Sequence, residues 1–299
     1  MIREPGKDEL LEAVSKLIHG DRHAAVRFLE YTRTTGLGIE AIRSLYNDSG
    51  GIEGTVIAVA NPGRTTMLFA TSPAGEARAE QMGGAIQETI KALDPARTSL
   101  VQALVDPRST WDQKAFLHGG LEQLAVLQYH ERAVPRSGSI PEVEATTGVR
   151  IGPWNPDQRQ LMVDLLGSTY EQTLDCPGLC GLRDGHDILD GHMGVGSFDP
   201  AIWLVLWLDQ IPAGVIMFSA TPASNTLELV YLGLAKAARG QGYGRLLLQA
   251  GLHLLSGRKE RSIMLAVDKM NTPALGLYAS AGFRKSLERI ALIHSIDVR

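Results

Sequence analysis

A glycine-rich turn that follows an apolar run is the feature of this sequence that most directly indicates chemistry. The stretch LELVYLGLAKAARGQGYGR runs from Leu227 to Arg245. It has the pattern of a buried strand, a glycine-rich turn and the start of a helix. Such a turn gathers unpaired backbone N–H groups at the positive end of a helix dipole. The stretch therefore predicts an anion site that suits a diphosphate.

Two common diphosphate-binding motifs do not fit this turn. A Walker A loop ends in Gly-Lys followed by Ser or Thr, whereas Gly244 is followed by Arg245 and Leu246. A dinucleotide-binding turn reads G-x-G-x-x-G after a first strand, whereas this turn reads G-x-G-x-G late in the chain. A nucleotide-binding module is therefore disfavoured. An ordinary strand–helix turn stays open on this stretch alone.

A second strand–helix segment lies further along the chain. It reads IMLAVDKMNTPALGLYASAGF, with Pro273 near the start of the helix and a glycine at its end. Together with the Arg-x-x-Gly-x-Gly turn, it resembles the two signatures of the GNAT N-acetyltransferase superfamily. The positions that match the second signature are Asn271, Ala274, Leu277, Tyr278, Gly282 and Phe283. The resemblance covers residues 148–299.

The resemblance implies acetyl-CoA as the co-substrate. In the superfamily the turn holds the pyrophosphate, and the pantetheine arm pairs with the backbone of the preceding strand as an added strand would. The N–H groups of that strand polarise the thioester carbonyl. The cofactor-binding residues that the resemblance implies are Leu232, Leu234, Arg239, Gly240, Gln241, Gly242, Tyr243, Gly244, Arg245 and Asn271.

Two of these assignments have alternatives. Either Arg239 or Arg245 can supply the charge-assisted hydrogen bonds to phosphate. Asn271 more often caps the following helix or braces the turn than touches CoA.

Acyl transfer also needs a proton for the leaving thiolate and a base for the amine. Tyr278 is the predicted general acid, because a phenol is protonated at neutral pH and is close to a thiol in acidity. Without the signature around it, this tyrosine would be read as a core aromatic. Glu228, near the start of the strand, is the candidate base, and it could equally bind a cationic acceptor or pair with an arginine.

Cysteines and histidines are concentrated in the segment between Leu174 and Gly196. Cys176, Cys180, His186 and His192 have the spacing C-x3-C-x5-H-x5-H, whose middle segment is too short for a standard zinc finger. We therefore predict no metal site. In the superfamily this segment walls the acceptor pocket, so the resemblance implies acceptor contacts from Asp175, Arg183, Asp184, His186 and Asp187.

The composition disfavours several other classes of protein. The 299 residues are 44% apolar, which allows two domains with sizeable cores, and their net charge of −4 argues against nucleic-acid binding. The longest dense apolar stretch, 201–208, is too short to span a bilayer. The N-terminus lacks the apolar core of a signal peptide, and two cysteines suggest a reducing compartment. We expect a cytoplasmic protein without membrane or nucleic-acid partners, and a homodimer stays open.

The order of strands and helices in the first half echoes that of the second, which indicates a tandem duplication. At an offset of 162 residues, Asp106 aligns with Asp268 and Phe116 with Tyr278. The residues aligned with Arg239, Gly242 and Gly244 are Ala77, Glu80 and Met82. This copy therefore lacks the phenol and places an acid in the phosphate turn, so we predict a structural or regulatory role for it. Residues 36–47 of this half have the pattern of a helix.

These inferences give an α+β protein of two tandem GNAT-like domains, each a mixed β-sheet flanked by helices. Residues 1–138 form the predicted degenerate domain, 139–148 the linker and 149–299 the active domain. The arrangement is loosely similar to mycothiol synthase-like tandem members of the superfamily. The expected activity is transfer of an acetyl group from acetyl-CoA to an amine of a small molecule or peptide. The alternative is a non-catalytic sensor or interaction protein that binds acyl-CoA.

Overall fold

The chain consists of two compact units. In the computed structural model the described residues are 1–34, 38–144 and 147–296. Unit 1 contains residues 1–125 and the C-terminal stretch from Arg289, and unit 2 contains residues 126–288. Within the described ranges, every helix is too short or too polar to cross a membrane.

Unit 1 is a mixed sheet with four α-helices among its described residues. Its elements are β1 (Ile2–Arg3), α1 (Leu10–Leu17), α2 (Arg22–Thr34), β2 (Ile39–Tyr46), β3 (Ile52–Asn61), β4 (Thr65–Ala70), α3 (Glu76–Lys91), β5 (Leu100–Val105) and α4 (Thr110–His118). The strands lie in the order β1-β2-β3-β4-β5, and residues 290–295 complete the sheet beside β5. Only β4 and β5 pair in parallel, as a helical crossover between them requires.

The helix predicted over residues 36–47 is wrong where the structure describes this segment. Residues 39–46 form strand β2, and residues 35–37 lie outside the described chain. Ile39, Ile42 and Leu45 are three residues apart, which imitates one face of a helix. Pairing with β1 and β3 on both edges outweighs this local pattern.

Unit 2 is a second mixed sheet with an apolar core of its own. Its elements are β6 (Glu122–Ala133), β7 (Val149–Pro153), α5 (Arg159–Tyr170), α6 (Gly185–Met193), β8 (Trp203–Leu208), β9 (Ile211–Thr221), β10 (Thr226–Leu234), α7 (Tyr243–Leu254), β11 (Ser262–Asp268), α8 (Thr272–Ser280) and β12 (Arg284–Ser295). The first residues of β6 and the last residues of β12 belong to unit 1. The strand order is β6-β11-β10-β9-β8-β7, with β10 and β11 parallel and their neighbours antiparallel.

The last strand of each half lies in the other compact unit. Residues 127–133 of β6 pair with β11 in unit 2, whereas residues 290–295 of β12 pair with β5 in unit 1. The compact units therefore do not follow the order of the chain. The predicted division into domains 1–138 and 149–299 follows the sequence repeat instead. It stays a prediction.

The offset of 162 residues matches most elements of the two halves. It does not match α3 and α7, the helices that follow β4 and β10. Strands β5 and β11, and helices α4 and α8, begin 162 residues apart. Helix α3, however, follows β4 after a connection of residues 71–75, whereas residues 235–242 connect β10 to α7. Ala77, Glu80 and Met82 consequently lie inside α3 and do not occupy a turn. The predicted alignment of these three residues with the phosphate turn is therefore wrong, because unit 1 has a shorter connection with no equivalent turn.

Candidate active site

The two parallel strands of unit 2 pair along only part of their length. Strand β10 pairs with β11 from Thr226–Ser262 to Glu228–Met264, and no later pair is present among the described residues. Strand β10 nevertheless continues to Leu234 beside β9, while β11 continues beside β6. The β10 edge over residues 230–234 consequently faces an opening between the strands with no partner strand.

A β-bulge in β10 determines which of its side chains share a face of the sheet. The pairing with β9 shifts between Leu229 and Tyr231, so one extra residue is accommodated there. Glu228 lies opposite Ser219 and Tyr231 lies opposite Met217, two residues apart on β9 and hence on the same face. Without the bulge, residues 228 and 231 would face opposite sides of the sheet. The bulge therefore brings a carboxyl and a phenol to the face that α5 and α6 cover.

The predicted phosphate turn lies directly after β10. Gly240 and Gly242 have φ angles of 76° and 87°, in the left-handed region that favours glycine. A Cβ atom built on either glycine would have no neighbour within 4 Å. The backbone pairing of α7 starts with the Arg245 N–H, which donates to the Gly242 carbonyl over 3.0 Å. The amide N–H groups of residues 240–244 have no acceptor among the described residues, so they can bind an anion.

The two candidate arginines have different surroundings. Arg239 donates to three backbone carbonyls, those of Leu234, Gln172 and Thr169, over 3.0, 3.0 and 2.9 Å. Arg245 is exposed on the first turn of α7 and makes no ion pair with any residue in the described part of the chain. Arg239 therefore holds the end of α5 against the end of β10, and Arg245 is the arginine that is available to a phosphate.

A groove of about 480 Å³ runs between α7 and α8, next to the turn. Leu248 and Leu277 contribute apolar walls, and Arg245 and Arg132 contribute positive charge. Arg132 is fixed there by its hydrogen bond to the Ala281 carbonyl. The groove thus extends the anion site with an apolar floor and basic edges, which suits a nucleotide joined to the diphosphate.

Tyr278 is buried in α8, with only 6% of its surface exposed. Its ring packs edge-to-face on Phe283 at a centroid distance of 5.8 Å. Its hydroxyl has no hydrogen-bond partner in the part of the chain that the structure describes. Burial raises the pKa of Tyr278, so the phenol keeps its proton at neutral pH. Asn271 caps the same helix, since its side-chain oxygen accepts from the Ala274 N–H over 3.3 Å.

Glu228 lies in the last paired position before β10 and β11 separate. It is largely buried and makes no ion pair with a described residue. Desolvation by burial raises the pKa of Glu228, so its carboxylate is a stronger base than an exposed one. The arginine pairing that the sequence left open is absent among the described residues, while the base and cation-binding roles stay predictions.

The segment between Leu174 and Gly196 places one acid next to the end of β11. The Asp175 carboxylate accepts from the Asp268 N–H over 2.9 Å, and the Cys176 N–H donates to the Asp268 carboxylate over 3.2 Å. Burial raises the pKa of Asp175. The other candidates are less closely placed: Asp184 caps α6, His186 is exposed, and Arg183 donates to the Asp187 carbonyl. All five acceptor contacts stay predictions.

A cluster of polar aromatic side chains next to the opening has no signal in the sequence. The Tyr231 hydroxyl lies 2.8 Å from that of Thr169, and the Tyr170 hydroxyl lies 3.2 Å from Nε2 of His192. Burial lowers the pKa of His192 to about 4, so the ring is neutral at neutral pH. Tyr231 lies within an apolar run, and the bulge that turns it towards this face leaves no sequence signal.

The cysteines and histidines considered for zinc make separate contacts. His192 bonds to Tyr170, and the Cys180 thiol donates to the Tyr170 carbonyl over 3.6 Å. Within the described ranges, no three side chains of the metal-binding types come together. These contacts give His192 and Cys180 hydrogen-bonding roles.

Comparison with known proteins identifies the region that contains this site. Residues 171–283 match the sequence model of the acetyltransferase (GNAT) family. This stretch includes the separated strands, the glycine turn and Tyr278.

Relatives of known name are mycothiol acetyltransferases. The protein of Thermomonospora curvata is 45% identical over 169 residues, which cover 56% of this chain and 54% of the relative. That of Kocuria rhizophila is 28% identical over 240 residues, covering 77% of this chain and 72% of the relative. The match to a Nocardioides mycothiol acetyltransferase spans only 22% of its length. The family match and these names support acetyl transfer, and they do not identify the acceptor of this chain.

Solved structures show the same fold at low identity. A GCN5-related N-acetyltransferase from Sphaerobacter thermophilus superposes with a TM-score of 0.60 and 16% identity, covering 100% of this chain and 97% of the other. A tandem GNAT protein from the clavulanic acid biosynthesis pathway gives 0.56 and 15%, covering 99% and 97%. The predicted α+β fold of two tandem GNAT-like domains is confirmed.

Proposed function

We propose that this protein is an acetyl-CoA-dependent N-acetyltransferase that moves an acetyl group directly to an amine in unit 2. One observation carries the proposal. The strands β10 and β11 separate after Glu228–Met264, beside a helix terminus whose amides have no acceptor among the described residues. An open strand edge that continues into an anion site fits a ligand with an amide-bearing arm and a diphosphate.

The turn and the groove would hold the nucleotide end of CoA. The N–H groups of residues 240–244 bind the diphosphate, and Gly240 and Gly242 leave open space where a side chain would meet it. Arg245 adds a charge-assisted hydrogen bond. The groove between α7 and α8, which Arg132 borders, takes the remainder of the nucleotide.

The open edge of β10 would hold the reactive end. Acetyl-CoA supplies the activated acetyl group as a thioester. Residues 230–234 offer backbone groups that pair with the pantetheine arm, and Leu232 and Leu234 provide its apolar contacts on the α7 side. N–H groups of this edge stabilise the negative charge that develops on the thioester oxygen. Tyr278, whose raised pKa keeps it protonated, donates a proton to the leaving thiolate.

The face of β10 under α5 and α6 would receive the amine. Glu228 and Tyr231 share this face because of the bulge. Glu228 accepts a proton from the ammonium, since only the neutral amine is a nucleophile. Asp175 at the end of β11 supplies a second acid for a cationic acceptor. Because the named relatives are mycothiol acetyltransferases, the unacetylated amine form of mycothiol and amines related to it are the first acceptors to test.

The test is release of free CoA thiol from acetyl-CoA in the presence of a panel of amines, followed with a chromogenic disulfide. The proposal expects turnover with at least one amine in the parent protein and its loss in Tyr278→Phe. Tight CoA binding without turnover for any amine would favour the alternative of a non-catalytic acyl-CoA sensor. Absence of CoA binding would overturn both. The cytoplasmic location stays a prediction that this assay does not address.

A further inference from the structure

Unit 1 keeps the separation of its parallel strands. Strand β4 pairs with β5 from Thr65–Leu100 to Met67–Gln102, and no later pair is present among the described residues. Strand β4 nevertheless continues to Ala70, and β5 continues to Val105. An opening therefore exists between the strands of unit 1, as it does in unit 2.

Unit 1 lacks the features that would bind a diphosphate beside this opening. Its short connection ends at Gly75, and the first turn of α3 carries Glu76, whose negative charge repels phosphate. Helices α3 and α4 also leave no room for a nucleotide. A Cβ atom built on Gly83 would lie 2.6 Å from the Cβ atom of His118. A ligand of unit 1 must therefore lack a nucleotide diphosphate.

The opening in unit 1 leads to a cavity of about 320 Å³. Most of the side chains that line it are apolar and come from α1, α2, β4, β5 and α4, with Leu17, Phe28, Leu68, Leu104 and Phe116 among them. Phe69 and Leu104 on these walls are 46% and 41% exposed, which is unusual for large apolar side chains in neighbouring strands. The volume lies within the range of small-molecule sites, about 300–1,000 Å³.

Two carboxylates border this cavity, and they differ in their partners. Asp106 is bound by Arg108 over 2.9 Å and by Arg289 over 3.6 Å, so its charge is compensated. Asp112 makes a single hydrogen bond, from the Ser72 hydroxyl over 3.2 Å, and no ion pair with a described residue. The nearby Lys114 is paired with Glu76 over 2.9 Å. The uncompensated charge at the cavity is therefore the negative charge of Asp112.

We propose that this cavity binds a small apolar amine, with its ammonium group on Asp112 and its apolar body among the walls. An apolar cavity with one uncompensated carboxylate complements a molecule with an apolar body and one positive charge. The site is separate from the acetyl-transfer site, and the inference does not depend on the proposed activity. Unit 1 then has a ligand of its own.

The test is calorimetric titration of the full-length protein with 2-phenylethylamine and with its uncharged analogue 2-phenylethanol. We expect saturable binding of the amine that weakens about tenfold or more in Asp112→Asn, because a charge-assisted hydrogen bond is lost. Asp112→Glu should keep most of the affinity. Glu80→Gln, which removes an exposed acid of unit 1 outside the cavity, should bind like the parent. Binding of 2-phenylethanol should be the same in Asp112→Asn and in the parent.

Two results would overturn the inference. One is no saturable binding of 2-phenylethylamine to the parent at millimolar concentrations. The other is equal amine affinity in the parent, Asp112→Asn and Glu80→Gln, which would mean that the amine binds elsewhere, such as in unit 2. CoA titration of Asp112→Asn should be unchanged, so failure of this inference is distinguishable from failure of the proposed acetyl transfer.

Discussion

The guanidinium of Arg239 donates to the carbonyl of Thr169 over 2.9 Å, which joins the residue before the glycine turn to helix α5. Two further bonds, to Leu234 and Gln172, fix the same side chain. The arginine of the Arg-x-x-Gly-x-Gly pattern thus has a structural task in this chain. It satisfies three backbone carbonyls, one at the end of β10, one in the last turn of α5 and one just after α5.

We predict opposite behaviour for the two arginines near the turn. Arg239→Lys cannot reach three carbonyls and should lower the free energy of unfolding by about 1.5–3 kcal/mol, although it keeps the charge. Arg245→Ala should leave stability unchanged and weaken CoA binding about tenfold. Denaturant unfolding and calorimetric CoA titration measure the two effects. Full stability in Arg239→Lys together with a large loss of CoA affinity would assign the phosphate contact to Arg239.

Gly242→Glu should abolish CoA binding in a folded protein. The left-handed φ of 87° disfavours any side chain, and the new carboxylate would lie where the diphosphate binds. Gly20→Glu is a matched control, because Gly20 has a similar φ of 86°, equally open surroundings and a place in unit 1. Both variants should lose about the same stability. Unchanged CoA affinity in Gly242→Glu would remove the turn from the cofactor site.

Tyr278→Phe should reduce turnover about 10²–10⁴-fold, the usual loss when a positioned general acid is removed. Stability and CoA affinity should barely change, because the hydroxyl has no hydrogen bond with a described residue and the ring contact with Phe283 remains. Phe116, which aligns with Tyr278 at the repeat offset, shows that a phenyl ring fits this helix. Turnover within about threefold of the parent, with chemistry rate-limiting, would make Tyr278 a packing residue.

Glu228→Gln should lower activity. At pH values above the ordinary pKa of glutamate, it should also raise the free energy of unfolding. Burial raises the pKa of Glu228, so folding favours the protonated acid. The stability that Glu228 contributes is present below its ordinary pKa of about 4.3 and is lost as the pH rises through the raised value. Near pH 4 the two proteins should be about equally stable, and near pH 8 the variant should be more stable. Urea unfolding at both pH values measures this difference.

The same substitution tests the catalytic role of Glu228. If it is the base, kcat/KM of the parent rises with pH through the raised pKa of Glu228, and this rise is absent in Glu228→Gln. An unchanged pH profile in the variant would leave Glu228 with a binding role only.

The full-length protein should bind one CoA per chain. Among its described residues, unit 1 has no counterpart of the glycine turn, and its helices α3 and α4 meet closely at Gly83. Calorimetric stoichiometry measures this number. Gly83→Ala should also lower stability by about 1–3 kcal/mol, since the added methyl group must displace His118. Two equivalent CoA sites would contradict our account of unit 1.

The sequence predicted the parts of the site whose local pattern is strong. The glycine turn, the strand before it and the helix of Tyr278 lie where the two signatures placed them. Such features depend on residues close together in the chain, where glycine φ angles and capping bonds are decided locally.

What the sequence could not predict depends on distant partners. The bulge that places Glu228 and Tyr231 on one face is visible only in the pairing with β9. The three carbonyls bound by Arg239 include that of Thr169 on α5 and that of Gln172 just after it, both more than sixty residues earlier. The helix predicted over residues 36–47 was wrong because strand pairing outweighed a local pattern. The alignment of residues in α3 was wrong because the connection before that helix is shorter than its counterpart in unit 2.

The crossing of the two final strands affects the order in which this chain can fold during synthesis. The sheet of unit 1 needs residues 290–295, so it can be completed only after the ribosome has released those residues. The strand at residues 127–133, by contrast, is made early and must wait for β11, its neighbour in unit 2. Proteins usually fold domain by domain from the N-terminus. Here each unit needs a strand from the second half of the chain, so a nascent chain that ends before β11 would expose two unfinished sheets to chaperones.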